Sequence, residues 1–137
     1  MRSLEGGNAR TARLLAVDDD ADAADLIARV AERAGLESRS LTDPRQIRQI
    51  VRDWMPDIIS LDLCMPGLDG IEMLSVLQRI GFTGHLIIIS GRSPLISKAA
   101  RYLGEARGLK VAGCLAKPIE TASLRDLLAR LVPAISA

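Results

Sequence analysis

The chain has 137 residues, of which 48% are hydrophobic and 2% aromatic, and its 18 basic and 17 acidic side chains give a formal net charge of +1. A chain of this length forms one domain and can bury a core that needs no disulfide or structural metal. Such a balanced charge favours neither a nucleic-acid-binding protein nor a strongly acidic one. We therefore expect one domain with an aliphatic core and no direct nucleic-acid partner.

The ends of the chain and the cysteines predict the compartment. Residues 1–12 carry charges and glycines but no apolar core, so we expect a loose tail there and not a signal peptide or anchor. No apolar stretch approaches the roughly 20 residues of a membrane span. Cys64 and Cys114 fit no metal-ligand spacing and are expected to be free thiols. These features predict a cytoplasmic protein that does not bind a membrane.

The first third of the chain predicts two pairs of a strand and a helix. The run RLLAV at residues 13–17 predicts a strand, and helical spacing begins at the aspartates that follow it. After a glycine ends that helix, residues 36–41 predict a weaker second strand. Asp43 and Gln46 have the spacing of a capping box, so we expect the second helix to run from there to Pro56.

A third strand is predicted at residues 58–63, an apolar run that only Asp62 interrupts near its far end. An ionised carboxylate that is buried and unpaired costs several kcal/mol, so Asp62 should lie at the exit of the strand beside a cation or a donor. Taken alone, Asp62 could equally well start a turn. Asp69 and Glu72 then form a second capping box, which opens the third helix.

The rest of the chain repeats this order twice more. Strands are predicted at residues 85–89 (HLIII) and 110–115, and helices at residues 93–108 and 121–133. Residues 134–137 remain as a short C-terminal tail.

Five alternating strands and helices predict a doubly wound (βα)5 α/β domain, with a parallel sheet in the flavodoxin-like (CheY-like) order 2-1-3-4-5. In that order the first and third strands are neighbours, and ligands bind beyond the carboxyl ends of the strands. The polar residues at these ends are Asp18, Asp19, Asp62, Ser90 and Lys117. Because five independent coincidences are less probable than one constellation, we expect them to form one site.

The chemistry of these residues suits a metal and a phosphoryl group. Converging carboxylates repel one another, and a hard divalent cation relieves that repulsion; oxygen ligands favour Mg²⁺, or Mn²⁺, over zinc. Lys117 offers a compact charge and Ser90 a hydroxyl donor, which both suit a phosphoryl oxygen. Taken singly, Ser90 is better explained as a turn residue and Lys117 as a solvated lysine. Together they predict phosphoryl transfer to a carboxylate nucleophile.

The ordered motifs VDDD, SLDLCMPGLDG, IIISG and LAKP resemble the receiver domain of two-component response regulators, over residues 13–133. The resemblance implies that Asp62 is the phospho-acceptor. It also implies that Asp19, Asp62 and the backbone carbonyl of Cys64 bind Mg²⁺ directly, whereas Asp18 acts largely through a water.

Further residue roles follow from the same resemblance. Ser90 and Lys117 would hold phosphoryl oxygens, and Ser90 would be the mobile donor of a switch together with the residue at position 114. Cys64 and Arg92 occupy the positions that modulate the lifetime of the phosphoryl group, although a solvated loop arginine is the simpler interpretation of Arg92.

Partners are also implied by the resemblance. The donor would be a phosphohistidine on a sensor histidine kinase or a phosphotransfer protein, or a small molecule such as acetyl phosphate. An output domain or protein would bind the surface of the fourth helix, fifth strand and fifth helix, and a phosphorylation-dependent homodimer is left open. The chain would not be an enzyme, apart from Mg²⁺-dependent self-phosphorylation and slow self-dephosphorylation.

Two features depart from the pattern of the family. Cys114 lies where receivers often have Tyr or Phe, so the usual aromatic coupling is in doubt; a buried inert thiol is a simpler interpretation than a redox sensor. The segment 101–117, with a longer spacing from Ser90 to Lys117 than is usual, resembles receivers that precede cyclic-di-GMP phosphodiesterase (EAL) domains. Since no such domain follows in this sequence, we expect a single-domain regulator or a piece of a longer one.

Three alternatives remain at this point. A haloacid-dehalogenase-like phosphatase also uses an aspartyl nucleophile, but it needs a second acid at the position that Cys64 occupies. A flavodoxin would place the flavin phosphate beside residues 18–20, and the three aspartates there would repel it. The third alternative is a receiver that serves only as a phosphorylation-independent interaction module, which the departure at Cys114 keeps open.

Overall fold

The structure is a computed structural model that describes residues 10–64, 70–91 and 94–136. Five parallel strands form one sheet in the order β2-β1-β3-β4-β5. The strands are β1 (Arg13–Val17), β2 (Glu37–Leu41), β3 (Ile58–Asp62), β4 (His85–Ser90) and β5 (Lys110–Ala116). The helices are α1 (Ala21–Arg33), α2 (Ile47–Trp54), α3 (Gly70–Arg79), α4 (Pro94–Ala106) and α5 (Thr121–Ser136). The predicted fold class and strand order are confirmed, and the strand ends differ from prediction by about one residue.

The sheet separates two apolar cores, as the alternation of side chains along β1 shows. Leu15 and Val17 pack on one face with residues of α2, α3 and α4. Leu14 and Ala16 pack on the other face with residues of α1 and α5. All four side chains are almost fully buried. Helices therefore cover both faces, and a polar group in the middle strands reaches solvent only at an edge of the sheet. Within the described residues, no helix has the length and apolarity needed to cross a bilayer.

The C-terminal helix is longer than predicted. α5 continues to Ser136 with Pro133 inside it, whereas the sequence predicted an end at Pro133 and a tail over residues 134–137. Proline removes one backbone hydrogen-bond donor, and its ring crowds the carbonyl of the residue four positions earlier, so an interior proline destabilises a helix. Ile135 packs against the α1 and α5 side of the core, and this contact offsets the lost hydrogen bond.

Ordered contacts also begin earlier than predicted. The guanidinium of Arg10 lies 2.9 Å from a carboxylate oxygen of Asp57, and Ala12 is buried in the core. The loose tail predicted over residues 1–12 is therefore wrong for its last three residues. Residues 1–9 lie outside the described part of the chain.

The predicted capping box at the second helix does not form. The carboxylate of Asp43 accepts from the backbone N–H of Arg45 at 3.1 Å, and Gln46 donates to the carbonyl of Asp43. Pro44–Gln46 make a single 3-10 turn, and α2 begins after it. The caps predicted at residues 69 and 93 lie outside the described residues.

Candidate functional site

Three carboxylates meet at the carboxyl edge of the sheet. Val17 in β1 pairs with Leu61 in β3, so Asp18, the first residue after β1, lies beside Asp62, the last residue of β3. Together with Asp19, they offer oxygen atoms that all lie within 4.8 Å of one another. Asp18 and Asp62 are buried, at 0% and 1% exposure, whereas Asp19 is exposed. The predicted convergence of the three acids is therefore what the structure shows.

Lys117 stands between the two buried acids. Its Nζ lies 3.0 Å from Asp18 Oδ2 and 3.0 Å from Asp62 Oδ2. The residue follows β5, and its backbone N–H donates to the carbonyl oxygen of Ser90 at 2.9 Å, which holds it at this edge. Burial lowers the pKa of Lys117, but the contacts with Asp18 and Asp62 outweigh that effect, so the pKa is raised and the ammonium stays charged.

The other carboxylate oxygens are fixed by backbone donors. Asp20 donates its N–H to Asp18 Oδ1 at 3.0 Å, and Cys64 donates its N–H to Asp62 Oδ1 at 3.0 Å. Burial raises the pKa of Asp18, and the contacts with Asp20 and Lys117 offset this only in part, while the charge of Asp62 adds to the increase. Both acids thus have set orientations and an environment that disfavours their combined negative charge.

The site fits a hard divalent cation. Lys117 pairs with two of the three clustered carboxylates, so the cluster has an excess of negative charge if all three are ionised. Within the described residues, Asp18 Oδ2 has no donor besides the Lys117 ammonium, which leaves a buried oxygen available to a ligand. An all-oxygen donor set of this kind suits Mg²⁺ or Mn²⁺.

Ser90 lies at the same edge, but its hydroxyl is bonded elsewhere. The residue is 2% exposed at the end of β4, and its Oγ lies 2.6 Å from the Oγ of Ser97 in α4. Within the described residues, Ser90 makes no hydrogen bond to any of the three acids. Ser97 was not singled out from the sequence, because one serine among the polar residues of a helix carries no motif.

The two cysteines are free thiols, as predicted. Cys64 is exposed; its backbone N–H serves Asp62, and the role of its carbonyl as a metal ligand stays a prediction. Cys114 is half-buried in β5, with its sulfur 3.9 Å from the carbonyl oxygen of Ser97, and burial raises the pKa of its thiol. Arg92, like residues 65–69, lies outside the described residues.

Comparison with known proteins decides the family. Residues 14–129 match the family model for the response regulator receiver domain. The chain belongs to this family. It is thus a receiver domain of a two-component response regulator, with the acid cluster at its carboxyl edge.

Proteins similar to this receiver domain include larger regulators. This chain is 32% identical over 120 residues to the phosphate regulon transcriptional regulatory protein PhoB of Pseudomonas aeruginosa, in an alignment that covers 86% of this chain and 49% of PhoB. It is 38% identical over 66 residues to the DNA-binding response regulator MtrA of Mycobacterium tuberculosis, covering 48% of this chain and 29% of MtrA. The receiver domain therefore spans half or less of the curated relatives named here.

Solved structures agree with the fold. A response regulator from Colwellia psychrerythraea is 30% identical with a TM-score of 0.80, and the match covers 91% of this receiver and 99% of that chain. A CheY-like receiver domain protein from Methanospirillum hungatei, at 17% identity and a TM-score of 0.77, covers 92% of this receiver and 97% of that chain and shows likeness of fold alone. The EAL-associated subgroup stays a prediction.

Proposed function

We propose that this receiver is a phospho-accepting switch in a two-component phosphorelay and that Asp62 is the acceptor. The observation that supports this most strongly is the environment of Asp62. Its carboxylate is buried at the edge of the sheet, held by the backbone N–H of Cys64 and by the ammonium of Lys117, and adjacent to Asp18. A nucleophile that is oriented in advance loses little entropy when it attacks.

The proposed reaction transfers one phosphoryl group. A carboxylate oxygen of Asp62 forms a new P–O bond, while the P–N bond of a phosphohistidine, or the P–O bond of acetyl phosphate, breaks. The electron pair of the broken bond leaves with the imidazole, which takes up a proton, or with acetate. The charged Lys117, 3.0 Å from Asp62, stabilises the oxygens of the phosphoryl group in transfer.

The proposed metal is Mg²⁺, with Mn²⁺ as a substitute. Asp19, Asp62 and the backbone carbonyl of Cys64 would hold it directly, and Asp18 would hold it largely through a water. When bound, it neutralises charge on the acids and on the phosphoryl oxygens. Without this neutralisation, an incoming phosphoryl group would meet an excess of carboxylates.

The proposed response is a shift of the surface formed by α4, β5 and α5. Phosphorylation of Asp62 adds up to about two negative charges and three acceptor oxygens, and Ser90 is the hydroxyl donor at the same edge. α4 exposes three large apolar side chains, Leu95 at 78%, Ile96 at 50% and Tyr102 at 74%. Exposed side chains of this kind suit contact with an output domain or protein.

Mass spectrometry after incubation with acetyl phosphate tests this proposal. We expect one phosphate adduct on the wild type with Mg²⁺ present, and none on Asp62→Asn or after the metal is chelated. Asp53→Asn is the matched control, since this exposed acid pairs only with the neighbouring Arg52 among the described residues, and it should be phosphorylated normally.

Two results would contradict the proposal. Absence of any adduct on the wild type would indicate an interaction module that does not depend on phosphorylation. Release of inorganic phosphate over many turnovers would indicate an aspartyl phosphatase, because a receiver hydrolyses its own phosphoaspartate slowly.

A further inference from the structure

A pair of serine hydroxyls joins the acceptor edge of the sheet to α4. Ser90 Oγ and Ser97 Oγ lie 2.6 Å apart, and either hydroxyl can be the donor. Ser90 is the last residue of β4, and Ser97 is in the first turn of α4. Ser90 is 2% exposed and Ser97 is half-buried, so the hydrogen bond is partly shielded from solvent.

This hydrogen bond holds the Ser90 hydroxyl away from the acids. Within the described residues, the hydrogen-bond partners of the Ser90 hydroxyl are the Ser97 hydroxyl and, in a longer bond of 3.4 Å, the carbonyl oxygen of Gly91. A serine hydroxyl has three staggered positions and one proton to donate. Rotating Ser90 to another staggered position, so that its Oγ approaches a phosphoryl group on Asp62, moves Oγ away from Ser97 and breaks the contact with α4, whichever hydroxyl is the donor.

The surroundings of Ser97 allow α4 to respond. The carbonyl oxygen of Ser97 lies 3.9 Å from the sulfur of Cys114, the residue at the position where receivers often have an aromatic ring. Beside them lies an open cavity of about 350 Å³, lined by Gly91 and Ala116 among others. The small Cys114 side chain thus leaves room next to the first turn of α4.

We propose that Ser97 is a positioning residue, which keeps the Ser90 hydroxyl bonded to α4 until a phosphoryl group competes for it. This inference rests on the proposed phosphorylation of Asp62. The pair of hydroxyls couples the acceptor edge of the sheet to α4, a role that an aromatic residue at position 114 would otherwise have. Removing the Ser97 hydroxyl frees Ser90, so the phosphorylated conformation forms more easily.

The test is the apparent Kd for beryllofluoride, a phosphoryl mimic, measured with Mg²⁺ by amide NMR. We expect Ser97→Ala to bind beryllofluoride about two- to tenfold more tightly than the wild type, which is the range that one neutral hydrogen bond supplies. Ser97→Thr keeps a hydroxyl and should stay close to the wild-type affinity. In a Ser90→Ala background, Ser97→Ala should have no effect, because the hydrogen bond is already absent.

Ser40→Ala is the matched control. It removes a serine hydroxyl of β2 that bonds to Asp25 in α1; β1 and β3 separate this strand from β4, so the affinity should be unchanged. Weaker or unchanged binding by Ser97→Ala, or an equal effect of Ser97→Ala in the Ser90→Ala background, overturns the role of Ser97 while the proposed function stands. Failure of the wild type to bind beryllofluoride would overturn both.

Discussion

Lys117 lies 3.0 Å from a carboxylate oxygen of each buried acid, Asp18 and Asp62. One ammonium balances one of these charges, and Asp19 adds a third carboxylate beside them. Burial disfavours the negative charge that remains, and this raises the pKa of Asp18. The metal-free site is therefore a source of instability that the proposed cation would remove.

Asp18→Asn should stabilise the metal-free protein. The ordinary pKa of Asp18 is 3.8, and its folded pKa is raised, so the folded state binds more protons between these two values and stability falls as pH rises through them. At neutral pH we expect Asp18→Asn to gain about 1 kcal/mol, or a few °C in Tm, measured in a chelator. As the pH approaches 4, this gain should shrink.

In the presence of Mg²⁺, we expect the wild type to be more stable than Asp18→Asn, the reverse of their order without metal. Mg²⁺ should raise the Tm of the wild type more than that of Asp18→Asn, because the variant lacks one of the negative charges that attract the cation. Asp126→Asn, an exposed acid in α5, is the control and should respond to Mg²⁺ as the wild type does. A metal-free Asp18→Asn that melts below the wild type would contradict this account of the site.

At the scale of elements, the turn before β4 depends on a close approach of two backbone segments. His85 donates its backbone N–H to the carbonyl oxygen of Asp57 at 2.9 Å, which pairs the start of β4 with the start of β3. A Cβ on Gly84 would collide with that carbonyl oxygen and would lie 2.7 Å from the ring of Phe82. Only glycine fits this position without a shift of the strands.

Gly84→Ala should therefore destabilise the fold. Displacing a backbone carbonyl and a buried ring costs about 1–3 kcal/mol. The midpoint of urea unfolding should fall by a corresponding amount, with an unchanged slope. The fluorescence of Trp54 reports this transition, since it is the one tryptophan in the sequence and is 8% exposed.

Thr83→Ala is the matched control, because Thr83 is exposed and adjacent in the chain. Its midpoint should stay near that of the wild type. A Gly84→Ala midpoint equal to that of Thr83→Ala would show that the β3 and β4 segments separate without cost.

Helix ends show what the sequence could not predict at this scale. Pro133 was expected to end α5, yet the helix continues to Ser136, and the half-buried Ile135 packs against the core. Asp43 and Gln46 had capping-box spacing, yet a 3-10 turn forms there, and the side chain of Asp43 caps it by accepting from the backbone N–H of Arg45. In both cases tertiary packing or local turn geometry, which spacing does not contain, decided the outcome.

At the scale of the whole molecule, the fold and most of the site could be predicted for one reason. In a parallel sheet the carboxyl ends of all strands meet at one edge, so residues after the strands converge wherever the strand order allows. Asp18, Asp62 and Lys117 were therefore predictable as neighbours, and the structure brings them within ion-pair distance.

Side-chain partners were not predictable in the same way. The bond between Ser90 and Ser97 depends on the placement of α4 against β4 and on a choice of rotamer. Among the described residues, the buried Asp18 Oδ2 has no donor besides Lys117, which depends on the geometry of one ammonium between two acids. These details arise from packing and cannot be inferred from the spacing of residues in the sequence.

The most direct measurement is a crystal structure of the protein grown with magnesium and beryllofluoride. The account predicts metal density among the side chains of Asp18, Asp19 and Asp62, and beryllofluoride on Asp62 in contact with Lys117. Acid side chains directed to separate places, with no density between them, would contradict it.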